Sequence, residues 1–167
     1  STVNSAANAA SDLNIDNGNG TVTIGGIVGG ATNGGLGAIV IDGGGALDLN
    51  AAITSATSLA QTGTTALGAD VTTTSTQTYT GAVTADVAAK RTLTASSVTF
   101  TAGFNGGAQA LDIVGNLVTG AAMTNITVLD VSGTASLANN VTTADSITID
   151  GTLTLTADTT LDSTGTQ

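Results

Sequence analysis

Leu111, Leu129 and Ile147 stand 18 residues apart, and so do Ile113, Val131 and Ile149, and Gly115, Gly133 and Gly151. Three successive stretches can therefore be written one above another as LDIVGNLVTGAAMTNITV, LDVSGTASLANNVTTADS and ITIDGTLTLTADTTLDST. A fixed period of this size marks a repeat architecture, in which each unit buries its apolar side only by stacking on its neighbours. Inside a unit, Thr152, Thr154 and Thr156 alternate with Leu153 and Leu155, which gives a strand one wet side and one dry side. The reading is all-β: a parallel β-solenoid with about 18–20 residues per coil. Its coils would hydrogen-bond about 4.8 Å apart, and about eight or nine of them would make a rod on the order of 40 Å long. The glycine column is expected at a corner that needs positive φ.

A longer repeat lies over the short one. Residues 39–76 align without gaps on residues 127–164, an offset of 88, with 15 of 38 positions identical. Among them are Asp42/Asp130, Gly45/Gly133, Leu49/Leu137 and Leu67/Leu155. So biased a composition gives about four or five matches by chance. Residues 1–167 thus read as a single solenoid domain of about one and a half long repeats. An antiparallel sandwich is the alternative, since Asn17-Gly18, Asp42-Gly43 and Asp150-Gly151 are hairpin signals, but such folds lack fixed coil-to-coil columns. The glycine-rich residues 25–38 read as a flexible loop. No cap is readable at either end, although solenoid ends expose unpaired strands and normally need one. In the first long repeat Gln77 runs on into TYTG, whereas the second reaches Gln167. The chain therefore reads either as a piece of a longer solenoid or as a unit whose ends pair head to tail with other copies.

Composition excludes several classes of function. The chain has no Cys, His, Pro or Trp, and all 12 acidic residues are Asp against two cations, Lys90 and Arg91. Without Cys there is neither disulfide nor thiolate metal site, and without His the commonest general base and metal ligand are gone. A net charge of −10 argues against nucleic acid and anionic membranes as partners. No apolar run approaches the length of a membrane span, so membrane insertion is not expected. Neither catalysis nor a cofactor is expected.

The aspartates are the candidates for site chemistry. Most fall beside Gly, Asn, Thr or Ala at strand ends, where Asp bonds its own backbone in turns. GGGALD, residues 43–48, misses the calcium pattern G-G-x-G-x-D because Ala46 stands where Gly is needed. Asp112 and Asp130 are the sharper case. They occupy equivalent positions in adjacent coils, where outward stacking of like charges is destabilising. A bound cation such as Ca2+, solvent screening or a small register offset would relieve the repulsion. T-x-T at Thr21–Thr23, Thr92–Thr94 and Thr152–Thr156 would form a flat hydroxyl face of the ice-binding kind if held in every coil, and outward Thr also suits any β-surface. Lys90-Arg91 reads as a loop tip or as a contact to an acidic neighbouring subunit, and Tyr79 as a surface or interface residue.

Three phrases, TQTYTGAVTADVAAKRTLTASSVTF at residues 76–100, STVNSAANAASDLNI at 1–15 and LTLTADTTLDSTGTQ at 153–167, resemble the β-strand repeats of filamentous-haemagglutinin-like large bacterial exoproteins. The resemblance covers essentially the whole chain. It implies a right-handed parallel β-helix, secreted to the cell surface and acting in adhesion, in biofilm matrix or as a stalk. It brings no catalytic residues with it. This chain departs from the family in being short and in lacking its amino-terminal secretion domain. The expected function is a structural segment or subunit of an extracellular bacterial surface filament or adhesin, self-associating head to tail. A module binding Ca2+, ice or a host or matrix glycan through its Thr and Asp faces is the alternative.

Overall fold

The structure, a computed structural model, describes residues 3–6, 9–30 and 35–165. Sixteen strands form one continuous sheet, and every strand pairing is parallel. The fold is a β-solenoid whose strands stack into three faces. The first face holds β1 (Leu13–Asp16), β3 (Leu36–Asp42), the end of β5 (Ile53–Gln61), β8 (Thr76–Tyr79), the ends of β10 (Arg91–Phe100) and β11 (Phe104–Thr119), β13 (Ala135–Leu137) and β15 (Leu153–Leu155). The second holds β2 (Thr21–Ile24), β4 (Ala46–Leu49), β6 (Thr65–Leu67), β9 (Val83–Ala85), the starts of β11, β12 (Met123–Val131) and β14 (Val141–Ile149), and β16 (Leu161–Ser163). On the third face, bridges at Val3 and Val28 lead into the start of β5, β7 (Val71–Thr73), the start of β10, the middle of β11 and the ends of β12 and β14.

The inward positions form unbroken columns. On the first face Leu13, Ile39, Leu59, Gln77, Val98, Leu117, Ala135 and Leu153 stack in register, eight rungs deep. On the third face the column is Val3, Val28, Ile53, Val71, Leu93, Ile113, Val131 and Ile149. The 18-residue columns of the sequence are therefore real: Leu111, Leu129 and Ile147 are direct register partners, as are Ile113, Val131 and Ile149. Between the end rungs these side chains are sealed, Ile39, Leu47, Leu67, Leu93, Ile113, Leu129 and Leu137 all being 0 % exposed. Removing a Val, Leu or Ile side chain from water contributes about 1.5–3 kcal/mol, so each coil is held by its two neighbours.

A finer unit underlies the period of 18. Inward residues Leu47, Ile53, Leu59, Thr65, Val71, Gln77 and Val83 fall every six residues and visit the three faces in turn. So do Leu111, Leu117, Met123, Leu129, Ala135, Val141, Ile147 and Leu153. Thr and Gln at some of these positions hide the hexad in the sequence. The long repeat consequently does not preserve the face. The offset of 88 carries Ile41 on the first face to Leu129 on the third, Leu49 on the second to Leu137 on the first, and Ile53 on the third to Val141 on the second. Any face accepts the same strand-and-corner segment because all three present the same requirement, an apolar inward side chain between two tight corners.

Two expectations are corrected here. In the glycine column only Gly115 has positive φ, at 137°. Gly133 and Gly151 are required by close stacking instead. The amide of Gly133 donates to the Gly115 carbonyl at 3.0 Å and that of Gly151 to the Gly133 carbonyl at 2.9 Å, and a Cβ on either would press into the backbone below. Nor do residues 25–38 behave as a loop throughout. Val28 is buried and bridges Val3 and Ile53, and Leu36 opens β3; residues 31–34 lie outside the described residues.

Candidate functional site

The structure brings together the aspartates that the sequence singles out. Asp112 in β11 and Asp130 in β12 are register partners on the outside of the third face. Their repulsion has a partner within the chain: Lys90 Nζ donates to Asp112 Oδ2 at 3.0 Å. Lys90 lies exposed in the loop before β10, and this carboxylate is its partner within the chain. An exposed pair of this kind contributes about 0–1 kcal/mol. Among the described residues no group of three or more acidic side chains converges as a metal-holding cluster. Sequence reasoning missed a second stacked pair, Asp16 over Asp42, because the spacing there is 26 rather than 18. Each of these carboxylates bonds a corner amide, Asp16 Oδ1 that of Gly18 at 3.0 Å and Asp42 Oδ1 that of Gly43 at 2.6 Å. Turn chemistry is therefore what this pair does.

The threonine pairs do not combine into one surface. Thr21/Thr23 lie on the second face, Thr92/Thr94 on the third and Thr152/Thr154 on the first. The outward column containing Thr154 reads Asn14, Val40, Ala60, Thr78, Thr99, Val118, Ser136 and Thr154, a mixture rather than a hydroxyl ladder.

Tyr79 and Arg91 are corrected more sharply, because both are inside. Tyr79 is fully buried, its ring stacked on Phe100 at 5.4 Å, and Phe100 meets Phe104 at 5.0 Å. Its hydroxyl donates to Gln77 Oε1 at 3.2 Å, while Gln77 Nε2 donates to the carbonyls of Val71 at 3.0 Å and Thr94 at 2.9 Å. Burial pushes the Tyr79 hydroxyl well above its ordinary titration range. Arg91 stands in the inward column of Leu111, Leu129 and Ile147 and is 7 % exposed. Its Nη1 donates to the Gly68 carbonyl at 2.9 Å and lies 3.8 Å from Asp70 Oδ1, while Nε has no partner. Residue type had marked both as surface groups; Tyr79 stacks 18 residues on from Gln61, whose polarity hides the inward column, and Arg91 falls where the hexad breaks between Val83 and Leu111.

The remaining unusual surfaces are the two end rungs. At one end Leu153, Leu155 and Leu161 are 38 %, 50 % and 37 % exposed, although they continue columns that are sealed one rung earlier. Leu153 and Leu161, with Ile147, Ile149 and Ser163, line an open hollow of about 490 Å³. At the other end Val3, Leu13, Ile15 and Val22 line a hollow of about 250 Å³, and Val3 is 47 % exposed. Edge strands with apolar inward residues are templates for pairing with a further strand. No helix among the described residues is long and apolar enough to cross a membrane.

The chain matches no family model, no curated protein and no solved structure.

Proposed function

We propose that the chain is a structural building unit of an extracellular bacterial surface filament or adhesin, extended by adding coils at its ends. The observation that carries the reading is the stack itself, in which all three faces run as unbroken parallel columns and each coil is sealed by its neighbours. The same parallel pairing that joins one coil to the next would seal both ends, so extension needs no chemistry beyond what the interior already uses. The resemblance of residues 1–15, 76–100 and 153–167 to exoprotein repeats supports an extracellular location. The reading assigns the chain no catalysis and no cofactor; its partner is a further coil of the same kind.

The test is electron microscopy with fibre diffraction on purified chain over a range of concentrations. Fibres with a meridional spacing near about 4.8 Å are expected, since strands would run across the fibre axis. Short isolated rods at every concentration would count against the reading.

A further inference from the structure

Charge is unevenly spread over the three faces. From Ile53 to Leu137 the charged residues are Asp70, Asp86, Lys90, Arg91, Asp112 and Asp130. Asp112 and Asp130 lie on the third face, and the other four lie in or beside the corner that leads into it. Over the same rungs the outward residues of the first face carry no charge. Ala60, Thr78, Thr99, Val118 and Ser136 run down its centre, flanked by further Thr, Ser, Ala, Asn and Gly. Its shape differs as well. Both edges turn tightly at glycines, where a Cβ on Gly63, Gly81 or Gly133 would press into the rung beneath. The second face, by contrast, is indented by hollows of about 440 and 270 Å³ that share Ala82 and Thr84, carries Asp48, and borders the exposed loop 86–90.

We infer that the first face is a side-to-side contact between two copies of this chain, related by a two-fold axis in the plane of contact. A chain of net charge −10 repels its own copies, so approach is easiest where charge is absent. Contact through the first face points both third faces away from the joint, and salt screens the remaining repulsion over about 8–10 Å. Flat sheets pack face to face with interdigitated side chains, and the contact would cover Val118, now 37 % exposed. Six rungs from β3 to β13, about 4.8 Å apart and each with outward positions about 6.6 Å apart, make a face of roughly 30 by 20 Å. A pair of copies then covers about 1,200 Å² in all, the lower limit of a stable interface. Asp42, at one corner of this face, is accommodated: a two-fold axis along the solenoid lays it on Ala38 of the other copy, and one along the strands lays it on Ala138. Contact of this kind uses neither end of the stack and is independent of extension by added coils.

Sedimentation equilibrium of the purified chain tests for the pair. A dimer fraction that rises with concentration, and rises further with added salt, is expected. Thr99→Asp sets like charges near the centre of the contact and should weaken the dimer at least about tenfold. Thr84→Asp, the same change on the second face, should leave it unaltered. The chain has no cysteine, so Thr99→Cys, Thr84→Cys and Thr94→Cys place one thiol on the first, second and third faces in turn. With a bismaleimide spanning about 10 Å, the spacing of packed sheets, Thr99→Cys should give a covalent dimer and the other two should stay at background. Monomer at every concentration would overturn the inference. So would a dimer that Thr99→Asp and Thr84→Asp weaken equally, or one that cross-links best through Thr84→Cys or Thr94→Cys. A monomer that sediments with crystalline cellulose, and ceases to with Thr99→Asp, would overturn it too and give the face to a solid polysaccharide. Fibres that cross-link through none of the three cysteines would remove the side-to-side contact while leaving the building-unit reading intact.

Discussion

Two parts of this solenoid obey different rules. From Leu47 to Val83 and again from Leu111 to Leu153, inward residues come every six positions, and each rung resembles the next. Between them lies a junction in which the spacing widens to ten from Val83 to Leu93 and then runs five, six and seven to Leu111. The regular arrays are filled mainly by Leu, Ile, Val, Ala and Thr. The junction holds Phe100, Phe104 and the inward Arg91, and the last coil of the array beneath it supplies the stacked Tyr79 and the buried Gln77. The difference teaches how a repetitive chain acquires one register. Within an array a slip of 18 residues exchanges one coil for a near-equivalent, at little cost. The junction side chains have no equivalents elsewhere, so a slip would set an aromatic ring against a space made for Val or Ala and leave the guanidinium without its carbonyl. Such devices fix register in sequences that otherwise specify it weakly.

If this contrast is right, Phe100→Ala should be the most damaging single change, because it removes the central ring of the stack and leaves a cavity too rigid to collapse. A loss of about 3–5 kcal/mol in a denaturant melt is expected. A loss similar to that of an exposed substitution would erase the distinction between junction and array. Within the arrays the corresponding weak point is the corner, not the core. Gly63→Ala places a methyl group against the backbone of Gly45, one rung below, with no flexible side chain to give way. It should cost about 1–3 kcal/mol, whereas Gly44→Ala acts on a residue with open space around it and tests only its positive φ of 83°.

Two tests sharpen the junction itself. The folded state holds the Tyr79 proton more tightly than the unfolded chain does, since burial disfavours the phenolate. The sign follows directly. This group's contribution is intact below the unfolded value of about 10, and it is lost as pH rises past that value towards the higher folded one. With one tyrosine in the chain, tyrosinate absorbance should appear together with loss of β-sheet circular dichroism on alkaline titration. Tyrosinate formed near pH 10 in a still-folded chain would place the hydroxyl in water. Arg91→Met keeps the volume and removes both the orphaned Nε and the bond to Gly68. Burying a guanidinium and satisfying it roughly offset, so unfolding free energy should shift by no more than about 1 kcal/mol. A loss of several kcal/mol would make Arg91 a stabilising anchor rather than a register marker.

The smallest effect belongs to the end rung. Leu155 is half exposed, so Leu155→Ala in the dilute, unassembled chain should change stability by about 0.5 kcal/mol. The equivalent change one rung in, Leu137→Ala, should cost about 2–5 kcal/mol because that side chain is sealed on both sides. Equal losses at the two positions in monomeric chain would mean that the end rung is already covered.

How much of this was legible follows from what each residue answers to. The alternation of Thr and Leu at 152–156 and the columns through Leu111 and Ile113 required only that strands stack, and that is a local and periodic demand which any single turn of sequence displays. The Asp112/Asp130 stack was readable for the same reason, since both residues lie in a stretch of constant period. Asp16 over Asp42 was not, because the coil between them carries extra residues that no period announces. The hexad was present but masked in the first array by Thr65 and Gln77, whose polar side chains look outward-facing until the fold shows them enclosed. The chain by itself determined a parallel stack of coils, their approximate size and a strongly acidic net charge, because hydrophobic periodicity and net charge are sums over residues. Only the tertiary structure decided that Tyr79 and Arg91 point inward and that the long repeat is carried round to a different face. Those facts depend on how many residues each individual turn spends before it closes, and the closure is set by the rung beneath it rather than by the turn's own sequence.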